Sequence, residues 1–409
     1  MRILCNCMVL LLLLGHSALG QKQKPEVLVW GNGPGAIATG LQSARSGVKT
    51  LLISDASNWG LSLPSHNTNY TNPALTRTGI WAELVKKYGE KQGVDFATKD
   101  NIRLAADTLS TVLKAICDTV KNLEILPNTA IRELKKSGNG WQVRLSNGEK
   151  LSVRVLVDAS ANRSLLNLSG GTAPASGIVK AGWNEAITRT SVAALDSGQV
   201  LPIRSLIAEK VDNVILVPDV KSIRSLLHAG QAAGASAAYC AFFKTDTKNL
   251  NVRMIQGELL NYKSSLIPLN DVLPSDTNFI KIQHLAASGL LNRGIAEKNN
   301  SAFWMSENNV STEELKSLMK AFYSRSQIWF ADHSSAKLSI EETINLLMYT
   351  ATRGEELRKV IEKDWKTEFG FKNDYDAKRP ISRYELAVLM DTYLKPFSVR
   401  IDLEGKLLN

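Results

Sequence analysis

The fold is decided by residues 26–53, which read EVLVWGNGPGAIATGLQSARSGVKTLLI. The apolar run at 26–30 stops at a glycine, as a buried parallel strand does. A glycine-rich turn at 31–36 leads into a helical stretch, and Gly47 separates that helix from a second apolar run at 48–53. Strand, turn, helix and strand in this order form a βαβ unit, so the sequence predicts an α/β fold built on a Rossmann-type parallel sheet.

The turn carries small residues at the positions where a dinucleotide needs them. Gly31 allows the tight turn, Gly33 lets the backbone approach a pyrophosphate, and Ala36 lets the helix pack on the strand. The amides at the start of the helix face the phosphates, and the helix dipole favours negative charge there. Because strands flank it on both sides, the pattern favours a dinucleotide site over a purely structural turn, and Pro34 and Gly35 are assigned to the same site.

The ribose of such a ligand is usually held by an acidic residue at the end of the second strand. Counting from Gly31 places Ser54 at this position, with Asp55 next to it. A serine hydroxyl binds a ribose more weakly than a carboxylate does, and Asp55 would take its place if the strand ended one residue later. Loss of ribose binding is an equal alternative, and the sequence leaves both open.

Length and composition fit a folded protein with two parts. The 409 residues suffice for a large core and a smaller attachment, and 44% of them are apolar. The net charge is +10, but the basic residues are scattered and form no stripe, which argues against nucleic acid as a partner. We expect a dinucleotide-binding part at 21–270, with a shortened middle insertion at about 162–200, and a small helical part at 274–409.

Residues 1–20 have the features of a signal peptide. Arg2 supplies the positive start, and the apolar run at 8–14 is too short to span a bilayer as a mature helix. Ala18-Leu19-Gly20 offers the small residues that a signal peptidase requires. We therefore expect a mature chain that begins at Gln21, has no transmembrane segment and is exported to the periplasm or the extracellular space.

Further strands and a helix complete the first part. Apolar runs at 131–134, 141–145 and 151–157 predict a β-meander, whose second turn contains Asn147-Gly148. A short strand at 214–217 is followed by a helix at 228–243, which contains the run Gly230-Gln231-Ala232-Ala233-Gly234. These small residues would permit close packing on a sheet or a ligand.

The last third contains three segments of the form Ser-x-x-Glu, which start at Ser311, Ser339 and Ser382. Each has the pattern of a capping box that opens an amphipathic helix. Together they predict a repeated helical module that begins near Pro274.

Residues 25–265 resemble the secreted bacterial FAD-dependent oxidoreductases. The resemblance rests on the βαβ unit, the helix start at 78–81, the strand end Asp158-Ala159-Ser160, the block at 201–214 and the run at 230–234. It implies FAD as the cofactor and, if the chain is active, hydride transfer between a small-molecule substrate and the flavin. It names no catalytic acid or base.

The resemblance also implies which residues hold the cofactor. The glycine turn would bind the pyrophosphate, and the backbone near Ile131 would bind the adenine. The flavin end would lie at Gly230, Gln231 and Ala232, and Asp219 is included because it stands where the family has the arginine of a Gly-Arg pair.

Departures from the family pattern support an alternative. Ser54 replaces the family's acid, Ala161 replaces a glycine beside the cofactor, and a long substrate-covering insertion is reduced to residues 162–200. They favour a non-catalytic binding or scaffold protein that keeps the flavoprotein fold. The segments at 279–290, 310–311 and 381–382 resemble S-layer homology modules, which implies contact with a cell-wall polymer or another exported protein; a plain packing role is equally compatible.

Cysteines and histidines add no further site. The mature chain keeps Cys117 and Cys240, which lie in apolar helical patterns typical of buried free thiols. The isolated histidines show no metal-ligand spacing, so no metal site is assigned, and His228 is the histidine nearest to the expected flavin end.

Overall fold

The computed structural model describes residues 24–57, 78–96, 104–181, 184–291, 296–298 and 301–408, so the predicted signal peptide lies outside the described residues. The strands are β1 Val27–Trp30, β2 Thr50–Ile53, β3 Leu123–Leu126, β4 Ile131–Ser137, β5 Gly140–Leu145, β6 Lys150–Val153, β7 Val155–Asp158, β8 Val179–Lys180, β9 Ser191–Ala194, β10 Gln199–Pro202, β11 Val214–Leu216, β12 Ala296–Lys298 and β13 Ser301–Phe303. The helices are α1 Pro34–Arg45, α2 Gly79–Gln92, α3 Ala106–Cys117, α4 Ser164–Ser169, α5 Glu185–Arg189, α6 Ile223–Phe242, α7 Val252–Asn261, α8 Phe279–Ala287, α9 Thr312–Phe322, α10 Ser326–Ala331, α11 Ile340–Ala351, α12 Glu356–Asp364 and α13 Arg383–Tyr393.

The centre of the molecule is a parallel sheet with the strand order β11-β7-β1-β2-β3. Every residue of β1, β2 and β7 is buried, because both faces of the sheet are covered. On one face Val27 and Val29 belong to the core that contains α1 and α6, and on the other Leu28 and Trp30 pack with the apolar side chains of β5. The predicted α/β fold with a Rossmann-type sheet is confirmed.

Helices α1 and α6 cross at very short distance. A β-carbon on Gly230 would lie 2.2 Å from the carbonyl oxygen of Gly35, and one on Gly234 would lie 2.4 Å from the carbonyl oxygen of Thr39. The Thr39 hydroxyl also donates a hydrogen bond to the Gly230 carbonyl at 3.1 Å. The small-residue run of α6 therefore serves the packing of one helix on another.

The antiparallel meander has the order β4-β5-β6, and its second turn is the predicted Asn147-Gly148 hairpin. Gly148 has a φ of +88°, and the Asn147 side chain accepts a hydrogen bond from the Glu149 amide at 3.0 Å. The prediction of one strand at 151–157 is wrong. Two strands meet at Arg154: β6 pairs with β5, and β7 enters the parallel sheet, where the Arg154 amide donates to Glu26 at 2.8 Å.

The stretch between the meander and α6 is compact. The strands β8, β10 and β9 form a small antiparallel sheet, and the short helix α5 packs against β10. The turn between β9 and β10 contains Asp196, whose backbone amide donates to the Ser225 hydroxyl at 3.1 Å. This contact joins the small sheet to the start of α6.

The C-terminal helices begin at the predicted serines. Capping boxes are present at Ser339 and Ser382, where Glu342 and Glu385 accept from the cap amides. Ser311 caps α9 in the same way, but Glu314 pairs with the buried Arg383 instead of closing a box. The segment at Ser311 therefore departs from the predicted pattern, because its glutamate forms a long-range ion pair instead of a capping box.

The three repeat starts form a closed ring of backbone hydrogen bonds. The amide of Val310 donates to Ile381, that of Ile381 to Leu338, and that of Leu338 to Val310, at 3.2, 2.9 and 3.3 Å. All three side chains are fully buried. The repeats thus surround a common centre with approximate threefold symmetry.

None of the described helices is sufficiently long and apolar to span a bilayer.

Candidate functional site

The carboxyl ends of the central strands form the edge at which a ligand is expected. The chain places β2 and β3 on one side of β1, and β7 and β11 on the other. Ligands of open α/β sheets bind at such a switch point, outside the carboxyl ends of the strands. Helices α1 and α6 follow β1 and β11 directly, so both begin at this edge.

The glycine turn after β1 fits closely between its neighbours. Gly31 has a φ of +145°, and a β-carbon there would lie 2.9 Å from the Ala159 carbonyl oxygen beyond β7. A β-carbon on Gly35 would lie 2.9 Å from a methyl group of Val217 beyond β11. Both positions require glycine, the first because of its backbone conformation and the close approach, the second because of the close approach alone.

Gly33 differs, because a β-carbon there would meet nothing within 4 Å. It is the N-cap of α1 with extended backbone, and Pro34 follows at the first helical position. In the described part of the chain, the amides of Gly35 and Ala36 have no protein acceptor, and the first turn of α1 contains no acidic residue. Free amides and the positive end of a helix dipole suit a phosphate group, so this cradle fits a pyrophosphate.

A cleft of about 450 Å³ opens beside the cradle. It is lined by Trp30, Gly31, Asn32, Ser54, Asp55, Ala130, Ile131, Ser160, Ala161, Asn162, Ser164, Leu165 and Leu168. The structure therefore brings together four of the predicted site residues, from the ends of β1 and β2 and from the start of β4. A larger cavity of about 540 Å³ lies between β3 and the meander, and no residue of the glycine turn lines it.

The two ribose candidates have different surroundings. β2 ends at Ile53, so Ser54 follows the strand as predicted, but its side chain is 4% exposed and already accepts from the Ala56 amide at 3.0 Å. Asp55 is exposed and lines the cleft, and its carboxylate has no partner among the described residues. Asp55 therefore offers the stronger free acceptor for a ribose hydroxyl.

One wall of the cleft is apolar. Ile131 and Leu165 line it, and Leu168 does so although 53% of its surface is exposed. The indole nitrogen of Trp30 donates to the Ser164 hydroxyl at 2.7 Å, which fixes the end of β1 to the start of α4. An apolar wall of this kind suits an adenine ring.

The loop that carries this wall is organised by Asp158, which is fully buried. Its carboxylate accepts from the Ser160 amide at 2.9 Å and from the Leu166 amide at 2.8 Å. Sequence reasoning missed Leu165 and Leu168 as site residues. Their signal was the run of leucines after a strand that ends in aspartate, at the same edge as the glycine turn.

Gly230, Gln231 and Ala232, which the resemblance assigns to the flavin end, are not among the residues that line the cleft. All three are buried in the middle of α6, and Gly230 lies against Gly35. The Gln231 side chain donates to Gln42 at 2.8 Å and accepts from the Ile80 amide at 3.2 Å, so its amide group joins three helices. Asp219 is exposed and does not line the cleft.

His228 is a structural residue. It is fully buried, with Nδ1 3.0 Å from the Ala194 carbonyl oxygen and Nε2 3.1 Å from the Thr78 hydroxyl. Burial, and to a lesser degree Arg224, lower the pKa of His228 to about 4. The imidazole is therefore neutral at neutral pH and faces α2 and β9.

The remaining candidates give no second site. Cys117 and Cys240 are free and buried, as predicted, and burial raises the pKa of each thiol to about 12. His284 pairs with Asp391 at 3.2 Å, and His66 lies outside the described residues. Within the described ranges, no group of His, Cys, Asp and Glu side chains could hold a metal ion.

Comparison with known proteins supports the nucleotide assignment for the first part of the chain. Residues 26–177 match the family model described as FAD dependent oxidoreductase, which covers less than half of the 409 residues. The match includes the glycine turn, the cleft and the meander, and it indicates FAD as the cofactor. No curated protein gives a match to the chain.

The solved structures that resemble this chain share little sequence with it and have low TM-scores. PqsL of Pseudomonas aeruginosa, described as a probable FAD-dependent monooxygenase, shows 16% identity over 65% of this chain and 96% of its own, with a TM-score of 0.34. The bacillithiol disulfide reductase Bdr of Staphylococcus aureus shows 16% identity over 34% of this chain, with a TM-score of 0.25. This chain spans only 39% of the reductase, and TM-scores this low carry no argument about activity.

Proposed function

We propose that this chain binds FAD at the carboxyl edge of its central sheet, with the adenosine in the 450 Å³ cleft and the pyrophosphate at the start of α1. One observation supports the proposal most strongly. The bare N-terminus of α1, with an open position at Gly33, adjoins a cleft that presents a free carboxylate and an apolar wall. All of these features lie within the segment that matches the family model.

Each part of the cradle has a role in this proposal. The amides of Gly35 and Ala36 donate to the phosphates, while Gly31 and Pro34 shape the turn. Asp55 accepts hydrogen bonds from the ribose hydroxyls, and Ser54, at the end of β2, lines the cleft beside it. The adenine lies against Ile131 and the leucines of α4.

The family match extends the proposal to an oxidoreductase that transfers hydride between a small molecule and the flavin. When bound, FAD supplies that chemistry, and the protein supplies the binding site. Asp55 is the titratable side chain among those that line the cleft. We therefore assign it to binding and name no catalytic acid or base.

The visible absorption spectrum of the purified protein tests the proposal. After incubation with FAD and desalting, a flavin band should elute with the protein, and excess ADP should release it, because ADP competes for the cleft and the cradle. Heat-denatured protein treated in the same way is the control for trapped flavin. A colourless protein that also fails to bind ADP would overturn the proposal.

The proposal places the protein outside the cytoplasm, because residues 1–20 have the pattern of a signal peptide. N-terminal sequencing of the protein recovered from its source should give Gln21 as the first residue. A protein that retains Met1 would contradict export by cleavage of this segment.

A second candidate function concerns the C-terminal helices, and the closed ring through Val310, Leu338 and Ile381 favours it. Three similar repeats around one centre are an arrangement suited to a repetitive polymer. Cosedimentation with purified cell-wall fragments tests this role, with fragments stripped of their secondary polymer as the control. Equal sedimentation with both preparations, or with neither, would leave the helices with a packing role.

A further inference from the structure

Two long helices of the described chain, α1 and α6, begin at the carboxyl edge of the central sheet, and of these two only α1 is open to a ligand. α1 follows β1, and α6 follows β11 on the other side of the switch point. An extended dinucleotide that lies across this edge would use the positive ends of both helices. The start of α6 therefore decides how much of the dinucleotide the protein can hold.

At the start of α6, hydrogen-bonding groups pair with side chains of the protein itself. The Ser222 hydroxyl accepts from the Ser225 amide at 3.0 Å and donates to the carboxylate of Asp196. Asp196 also pairs with the guanidinium of Arg224, whose side chain is only 6% exposed. The carboxylate of Asp196 takes the place at this helix end where an anionic ligand would otherwise bind.

A second side chain covers the edge between the two helices. Arg163 lies in a left-handed conformation with a φ of 53°, and its guanidinium donates to the Val217 carbonyl oxygen at 2.6 Å. The same nitrogen lies 3.4 Å from the carbonyl oxygen of Asp158. Arg163 therefore connects the carboxyl ends of β7 and β11.

At the other half of the edge, beside β1 and β2, the start of α1 is open. The first turn of α1 has no acidic residue and no side-chain cap, and Gly33 faces open space. The cleft beside it is lined by the ends of β1 and β2 and by the start of β4, not by residues of α6. Among the described residues, the groups that line the cleft thus lie on the β1 and β2 side and on the loop after β7.

We propose that this site recognises the adenosine diphosphate group alone, and that whatever is attached beyond the pyrophosphate extends away from the protein. This inference rests on the proposed function and narrows it. FAD binding is retained, but its flavin ring is not enclosed, because Asp196, Arg224 and Arg163 fill the half of the edge where it would lie. The ligand class is therefore any ester of adenosine diphosphate.

Calorimetric titration of the purified protein with ADP, FAD and FMN tests the inference. ADP and FAD should bind with dissociation constants within about threefold of each other, and FMN should not bind, since the flavin half contributes no contact. FAD that binds more than about 30-fold tighter than ADP, or measurable binding of FMN, would overturn the inference while the proposed function stands. Failure of both ADP and FAD to bind would overturn the proposed function and this inference with it.

A second readout reports the position of the flavin ring directly. Iodide should quench the flavin fluorescence of protein-bound FAD with the same quenching constant as that of free FMN, because the ring is in solvent. A quenching constant reduced about tenfold relative to free FMN would place the ring inside the protein and overturn the inference.

Discussion

Gly230 in α6 lies against Gly35 in α1 so closely that a β-carbon on Gly230 would fall 2.2 Å from the Gly35 carbonyl oxygen. Gly35 belongs to the first turn of α1, whose amides form the proposed phosphate cradle. The helix crossing therefore sets the position of the cradle relative to the sheet, and residues at the crossing influence binding without contacting the ligand.

Replacing Gly230 with alanine should destabilise the fold. The added methyl group forces α1 and α6 apart, and overpacking of this kind costs about 1–3 kcal/mol. Gly257 in α7 is the matched control, because a β-carbon there meets nothing within 4 Å. Gly257→Ala should raise the free energy of unfolding by about 0.5–1 kcal/mol through helix propensity. Urea unfolding of both variants measures the difference, and equal effects would contradict the close crossing.

Asp55→Asn should weaken ADP binding about tenfold, or about 1.4 kcal/mol, because a neutral amide replaces the carboxylate that accepts from the ribose. Asp107→Asn in the first turn of α3 is the control, since Asp107 is exposed and absent from the cleft lining. Calorimetry of both variants checks the prediction. Unchanged affinity in Asp55→Asn would mean that Ser54 binds the ribose or that this site does not bind the ribose.

His228 should make the protein less stable in acid. Its pKa is about 4 in the folded protein, against an ordinary value of 6.5 in the unfolded chain, so the unfolded chain binds the proton more strongly between these values. The stability contributed by the neutral ring is fully present above pH 6.5 and falls by about 3 kcal/mol as the pH approaches 4. His228→Gln removes this titration. Urea unfolding across this pH range should therefore give a smaller pH dependence for the variant, and an identical dependence would contradict the burial of a neutral histidine.

The βαβ unit and the turn at Asn147-Gly148 could be predicted because local sequence determines them. Apolar runs that end in glycine, and a dipeptide that favours positive φ, act within a few residues. The capping boxes at Ser339 and Ser382 were predictable for the same reason. Glu314 departed from its box because its partner, Arg383, lies far away in sequence.

The sequence was least informative where long-range contacts determine the structure. The run at 151–157 contains no local signal for the change of sheets at Arg154, because both β6 and β7 contribute apolar residues to it. The small residues at 230–234 were equally consistent with contact to a ligand and contact to a helix, and only the position of α1 distinguishes the two. The closure of α6 by Asp196 depends on a turn between β9 and β10 that sequence patterns did not assign.

The most direct measurement of the central claim is the affinity of Gly33→Leu for ADP and FAD. The backbone at Gly33 is extended and its β-carbon position is open, so leucine should leave the free energy of unfolding within about 0.5 kcal/mol of the wild type. The same side chain blocks the amides of α1, which would remove hydrogen bonds to a charged group worth about 1.5–3 kcal/mol each.

Gly257→Leu, at an equally open position in α7, is the matched control. We predict that Gly33→Leu binds both nucleotides about 100-fold more weakly than the wild type, and that Gly257→Leu binds them as the wild type does. A correctly folded Gly33→Leu variant with wild-type affinity would show that the start of α1 is not the phosphate site.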